Sequence, residues 1–262
     1  MKRIDANGIE MAVVDQGSGA PLLLAHGFPL DHSMWAGQIE GLASDCRVIA
    51  PDLRGFGQSQ VTPGTVGMDL MADDLAALLD ALGIDGPVVF CGLSMGGYVA
   101  WQFFKRHRSR VAGLVLCDTR AIPDTPEAAQ GRRDTAARVL VDGPQPVVEG
   151  MVPKLFAATT AEAVIAAARG VMSGTDPRGI AAASLGMAER IDATSLLASI
   201  DCPTLAIVGQ QDAISTVEEM ALIVAQISGA RLVEIANAGH ISPLEQPQAV
   251  NEAIREFVAA MG

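Results

Sequence analysis

The stretch Val88-Val89-Phe90-Cys91-Gly92-Leu93-Ser94-Met95-Gly96-Gly97-Tyr98-Val99-Ala100 decides how the chain is read. Its first half is a short apolar run of β character, and beyond Gly97 the pattern turns helical. Between them Gly92-Leu93-Ser94-Met95-Gly96 has the form G-x-S-x-G. A sharp strand-to-helix turn of this spacing lifts a serine hydroxyl clear of a sheet. Glycines flank it because side chains there would strike the neighbouring strand and helix. An ordinary Gly/Ser turn would carry the same five residues, so the partners of Ser94 have to come from elsewhere in the chain.

Outward from this turn, apolar runs alternate with helical stretches. Upstream, two alternating segments around Arg3–Asp5 and Ile9–Asp15 flank Asn7-Gly8, a hairpin signal. Pro21–Ala25 and Arg47–Ala50 read as strands covered on both faces. A helix is expected over about 33–43. Another is expected over 69–82, where Met71, Leu75, Leu78, Leu79 and Leu82 share a face. Downstream come the strand Ala112–Cys117, the strand Thr204–Gly209, a helix over about 216–227, the strand Arg231–Ile235 and a last amphipathic helix. From 121 to 199 no β run stands out. Alanine-rich helical stretches (about 125–141, 161–172 and 178–188) alternate with breaks at Gly143-Pro144 and Gly174–Pro177. Alternating strands and helices predict an α/β fold: an eight-stranded, mostly parallel sheet with helices on both faces. Residues 1–120 and 200–262 form its core, 121–199 is an inserted helical cap, and the first two strands make an antiparallel edge.

Bulk properties exclude several functions. Half of the 262 residues are hydrophobic and 18% are charged, enough for a large core. The formal net charge of −12 repels phosphate backbones and anionic bilayers, so neither nucleic acid nor a membrane is an expected partner. There is no 18-residue apolar run and no leader-like N-terminal segment, so a cytoplasmic location is expected. Cys46, Cys91, Cys117 and Cys202 lie in or beside apolar segments without C-x-x-C spacing and read as core, which leaves no metal or redox cofactor to expect. Monomer and homo-oligomer both remain open.

Serine needs a base, and the chain has four histidines. His240 lies in a loop past the final strand, at the end of the sheet where such folds place chemistry. His107 sits in a basic helix end, His26 in a turn suited to a structural hydrogen bond, and His32 has no evident partner. Hence His240 is the expected base. The imidazole needs a carboxylate. Asp212, just beyond the Thr204–Gly209 strand, is the first candidate and Asp118, also at a strand end, its rival. The order Ser94, Asp212, His240 is the one that accompanies a nucleophile elbow. An oxyanion needs two N–H donors. Met95 supplies one, and Phe28 in His26-Gly27-Phe28-Pro29 the other, since Pro29 has none.

With His26–Pro29, the Asp52–Ser59 loop, Gly92–Gly97, Asp212 and Ala238-Gly239-His240 in place, the sequence resembles the α/β-hydrolase family. The resemblance implies Ser94 as nucleophile, His240 as base, Asp212 as acid, and Phe28 and Met95 as oxyanion donors. Leu78–Asp118 looks like enol-lactonases of aromatic catabolism and related carboxylesterases. A small ester or lactone is therefore the expected substrate, cleaved without a cofactor. A cofactor-free perhydrolase would use the same residues, and a non-catalytic small-ligand receptor is the alternative of a different class. Trp35, Met151, Leu155, Phe156, Met172 and Met187 are candidates for the pocket wall or for internal packing. Seven arginines over 120–190 are candidates for holding a substrate carboxylate or for a solvated face.

Overall fold

The computed structural model describes residues 1–261. Eight strands form one sheet: β1 (Lys2–Ala6), β2 (Ile9–Gln16), β3 (Ala20–Ala25), β4 (Cys46–Pro51), β5 (Val88–Leu93), β6 (Val111–Cys117), β7 (Thr204–Gly209) and β8 (Arg231–Ile235). Their spatial order is β1-β2-β4-β3-β5-β6-β7-β8. The β1–β2 and β2–β4 pairs are antiparallel, and every other pair is parallel. Asn7 and Gly8 close the first hairpin with φ of 49° and 77°, the left-handed pair that an Asn-Gly turn supplies. Every residue of β5 and β7 is buried. The outer strand β8 is buried only at Ile235, as befits an edge.

Helices cover both faces. On one side α2 (Met68–Ala81), α3 (Met95–Arg106) and α9 (Val217–Val224) bury Met71, Leu75, Val99, Phe103 and Met220 in a single core. On the other, α1 (Ala36–Leu42) and α11 (Pro247–Ala259), which follows the short α10 (Ser242–Glu245), bury Leu42, Val250, Ile254 and Phe257. The stretch read as one helix over 33–43 is a 3₁₀ turn at His32–Trp35 followed by α1.

Between β6 and β7 the chain forms only helices: α4 (Pro126–Asp142), α5 (Gln145–Leu155), α6 (Glu162–Gly174), α7 (Pro177–Ala188) and α8 (Thr194–Leu197). No helix is expected from the sequence over 145–155, yet α5 forms there. Pro146 lies in its first turn, where a missing N–H costs nothing, and Pro153 in its last turn. Helix α7 comes so close to the 52–67 loop that a Cβ on Gly179 would overlap the Gly55 carbonyl, and one on Gly186 that of Val66. Among the described residues no helix is long and apolar enough to cross a membrane.

The strand order reverses between β3 and β5, and α/β sheets open a crevice at such a switch point. Ala25 and Gly92 are neighbours across that pair, so the loops after β3 and β5 meet there. The approach is tight: a Cβ on Gly96 would overlap the Ala25 carbonyl oxygen. Gly96→Ala is therefore expected to cost about 1–3 kcal/mol by overpacking, read as a lower Tm in thermal unfolding. Gly131→Ala, on α4 with open space around it, should instead stabilise by up to about 1 kcal/mol.

Candidate active site

Ser94 stands between β5 and α3 with φ 51° and ψ −109°, a conformation that costs a non-glycine residue about 1–3 kcal/mol unless its surroundings impose it. They do. Its N–H donates to the Cys117 carbonyl (3.0 Å), and its own carbonyl accepts from the N–H of Gly97 (2.9 Å) and the Thr119 hydroxyl (2.8 Å). Cβ atoms on Gly92 and Gly97 would overlap the Gly96 carbonyl and the Thr119 side chain, respectively. The G-x-S-x-G pattern is thus a packing requirement.

The hydroxyl reaches His240. Ser94 Oγ lies 2.9 Å from His240 Nε2, and His240 Nδ1 lies 2.9 Å from Asp212 Oδ2. Asp212 accepts two further bonds on Oδ1, from the N–H groups of Ile214 (2.7 Å) and Ser215 (3.0 Å). A carboxylate so supplied remains an acceptor, so Nδ1 carries the proton and Nε2 is left to accept from Ser94. The structure brings these three together from the ends of β5, β7 and β8. Asp118, the rival carboxylate, does not touch His240. It is wholly buried and receives the N–H of Gly209 (2.8 Å).

The His240 loop is fixed from two sides. Its N–H donates to Leu155 O at the end of α5 (2.8 Å). Glu245 accepts from the N–H groups of Gly239 (2.8 Å) and Ala157 (2.8 Å) and from the Thr160 hydroxyl. Nothing in the sequence singled out Glu245.

Opposite the elbow, His26 is buried and its burial lowers its pKa, keeping the ring neutral. Nε2 accepts the Leu53 N–H (3.0 Å), so Nδ1 bears the proton and donates to Gly27 O (3.0 Å). The Leu30 N–H also donates to that oxygen (2.9 Å). In a trans peptide the N–H points away from the C=O. Pinning Gly27 O therefore turns the Phe28 N–H the other way. The elbow stands close by: a Cβ on Gly27 would lie 2.6 Å from Leu93 Cδ2 and 3.7 Å from Ser94 Cβ. Met95 opens α3, where its N–H has no partner within the helix. The loop is buttressed by Asp52, which accepts from His32 Nδ1 (2.6 Å) and the Gln58 N–H (2.8 Å). Burial alone would raise the Asp52 pKa, but these bonds outweigh it and hold the carboxyl below its usual range.

A cavity of about 420 Å³ opens beside the site. Phe28 and Ile214 lie in its wall, with Val139, Val147 and Met151 completing an apolar side and Arg132, Arg138 and Lys154 a cationic one. Of the expected lining residues, Met151 is there. Trp35 is not, being fully buried in the core beneath the 3₁₀ turn. Leu155 turns into the core and offers only its carbonyl, and Phe156 packs against the same core. Met172 and Met187 are buried as well. Five of the seven arginines are tied up in ion pairs: Arg120–Glu219, Arg132–Asp124, Arg138–Asp142, Arg178–Asp176 and Arg190–Asp124. Lys154 escaped notice with α5. Read as a helix, that segment puts Val147, Met151 and Lys154 on one face, at i, i+4 and i+7.

The chain is also similar to known proteins. The model of the alpha/beta hydrolase fold family matches residues 20–247. The chain belongs to that family. It is similar to 3-oxoadipate enol-lactonase 2 of Acinetobacter baylyi, with 30% identity over 94% of this chain and 91% of the relative. A thermophilic esterase from Thermogutta terrifontis, solved with malate bound, is 49% identical with a TM-score of 0.97, covering 99% of this chain and 98% of its own. The enol-lactonase of Burkholderia xenovorans LB400 is 29% identical, with a TM-score of 0.91 over 98% of this chain and 100% of its own.

Glu245→Ala would leave two backbone donors near His240 without their acceptor. The expected loss is about 1–3 kcal/mol of stability, measured as a lowered midpoint in urea unfolding.

Proposed function

We propose that the protein is a carboxylic ester hydrolase that cleaves a small ester or lactone through an acyl-enzyme on Ser94. The observation that carries this reading is the continuous chain from Ser94 Oγ through His240 to Asp212, 2.9 Å at each link, with the neighbouring Phe28 and Ile214 in the wall of a cavity. The esterase and enol-lactonases similar to this chain point to the same chemistry.

In the first step His240 Nε2 takes the Ser94 proton as Oγ attacks the carbonyl carbon, and Asp212 stabilises the imidazolium. Negative charge collects on the carbonyl oxygen, which the N–H groups of Phe28 and Met95 would receive, with the positive end of α3 behind Met95. His240 then gives its proton to the leaving alcohol oxygen. In the second step it takes a proton from water, which attacks the acyl-enzyme, and returns a proton to Ser94 Oγ as the acid leaves. A lactone follows the same route, with the alcohol tethered to the acid it releases. The helices over 121–199 would act as the cap that closes the substrate cavity.

Removing Ser94 or His240 should disable the whole unit. Ser94→Ala and His240→Ala are each expected to lose at least roughly a thousandfold in kcat on p-nitrophenyl acetate, and the double variant no more than the worse single one. Ordinary turnover by either single variant in folded form would refute the assignment.

The cationic wall favours substrates that carry an anionic group away from the scissile bond. Lys154 forms no ion pair among the described residues, while Arg132 and Arg138 are partly neutralised by Asp124 and Asp142. Lys154→Ala should raise KM for a hemisuccinate ester about two- to fivefold, the scale of an exposed ion pair, with a smaller change for a neutral ester of equal length.

A further inference from the structure

Asp118 is absent from the mechanism above, yet few residues are more firmly built in. It follows β6 directly and is wholly buried. Its φ is 46°, a left-handed conformation that Asp and Asn tolerate better than other non-glycine residues. Its N–H donates to Ile207 O of β7 (2.9 Å). Its two carboxyl oxygens face different loops. Oδ1 accepts the N–H of Gly209 (2.8 Å), the residue whose own carbonyl accepts the Asp212 N–H (3.0 Å). Oδ2 lies 2.5 Å from Ser242 Oγ and 3.3 Å from Ser242 N, two residues beyond His240. One side chain thus ties the Asp212 loop to the His240 loop. The backbones meet at the same place, where a Cβ on Gly209 would overlap the carbonyls of Gly239 and Ala238.

We propose that Asp118 is a positioning residue that sets the His240–Asp212 geometry by holding Gly209 and Ser242 at fixed separation. This inference rests on the Ser94 reading of the function. Asp118 does so through hydrogen bonds to both loops. Burial, and then the nearby Asp212 carboxylate, raise its pKa well above the usual range. The carboxyl accepts on both oxygens, the Gly209 N–H on Oδ1 and the Ser242 hydroxyl and N–H on Oδ2. Asparagine keeps part of this linkage: its oxygen accepts from Gly209 and it tolerates the left-handed backbone, while its amide can donate to Ser242 Oγ but accepts nothing from the Ser242 N–H.

The test compares Asp118→Ala, Asp118→Asn and Ser242→Ala with the wild type and with Ser94→Ala in steady-state hydrolysis of p-nitrophenyl acetate. Misplacing a catalytic group by an ångström costs about a hundredfold, so Asp118→Ala should lose roughly 10–100-fold in kcat with KM nearly unchanged. Asp118→Asn, which keeps the Gly209 bond, should recover part of that loss. Ser242→Ala keeps its N–H bond and poses no folding problem, so it should lose about two- to tenfold, the worth of a single hydrogen bond. In the double variant Asp118→Ala/Ser242→Ala the two losses should not add, because both act on one linkage. Wild-type kcat in Ser242→Ala or Asp118→Ala, a change confined to KM, or an Asn variant as impaired as the Ala variant would overturn the inference. Any of these beside an inactive Ser94→Ala leaves the proposed chemistry standing, whereas an active Ser94→Ala removes the chemistry itself.

Discussion

The left-handed backbone at Ser94 is the constraint on which the rest of the molecule depends. A residue in that conformation persists only when its neighbours over-determine it. Here the carbonyl is held by Gly97 and Thr119, the N–H by Cys117, and the surrounding space is available only because residues 92, 96 and 97 lack side chains. The three contacts come from α3, from the residue two beyond β6 and from β6 itself. The elbow therefore requires β3, β5 and β6 in their observed register, and that register in turn brings the Phe28 loop beside it.

Around this point the fold fixes polar groups in pairs of opposed duty. His26 and Asp52 support the loop that carries Phe28. On the far side Asp118 and Glu245 hold the loops that carry Asp212 and His240. These four side chains rank among the better-connected polar groups of the molecule, consistent with the heavy cost of leaving buried donors unpaired. The helices between β6 and β7 are tied to the same framework, since Leu155 at the end of α5 takes the His240 N–H. A change in the packing of α5 would therefore reach His240 as well as the cavity wall.

Much of this was legible in the sequence, because its signals are local. Apolar runs bounded by glycine gave eight strands in order, and Asn7-Gly8 fixed the first hairpin. The elbow, His240 and Asp212 each follow a strand, so a parallel sheet delivers them to one end whatever the details of packing. What was hidden depends on non-local contact. Trp35 has the character of a pocket residue, and only the position of α11 and the 3₁₀ turn shows that it is core. Helix α5 has no clear apolar period in the sequence and carries two prolines, and with it went Lys154. Asp118 could be seen as a carboxylate at a strand end. Its partner Ser242 lies 124 residues away, a pairing no local pattern encodes.

A single serine, Ser94, is proposed to carry the reaction. Titration with a fluorophosphonate, with activity and the modified peptide followed together, tests it most directly. The account predicts that esterase activity falls in proportion to phosphonylation of Ser94 and reaches zero when that one residue is fully modified. Full activity in protein modified at Ser94, or inactivation accompanied by an adduct at some other residue, would contradict it.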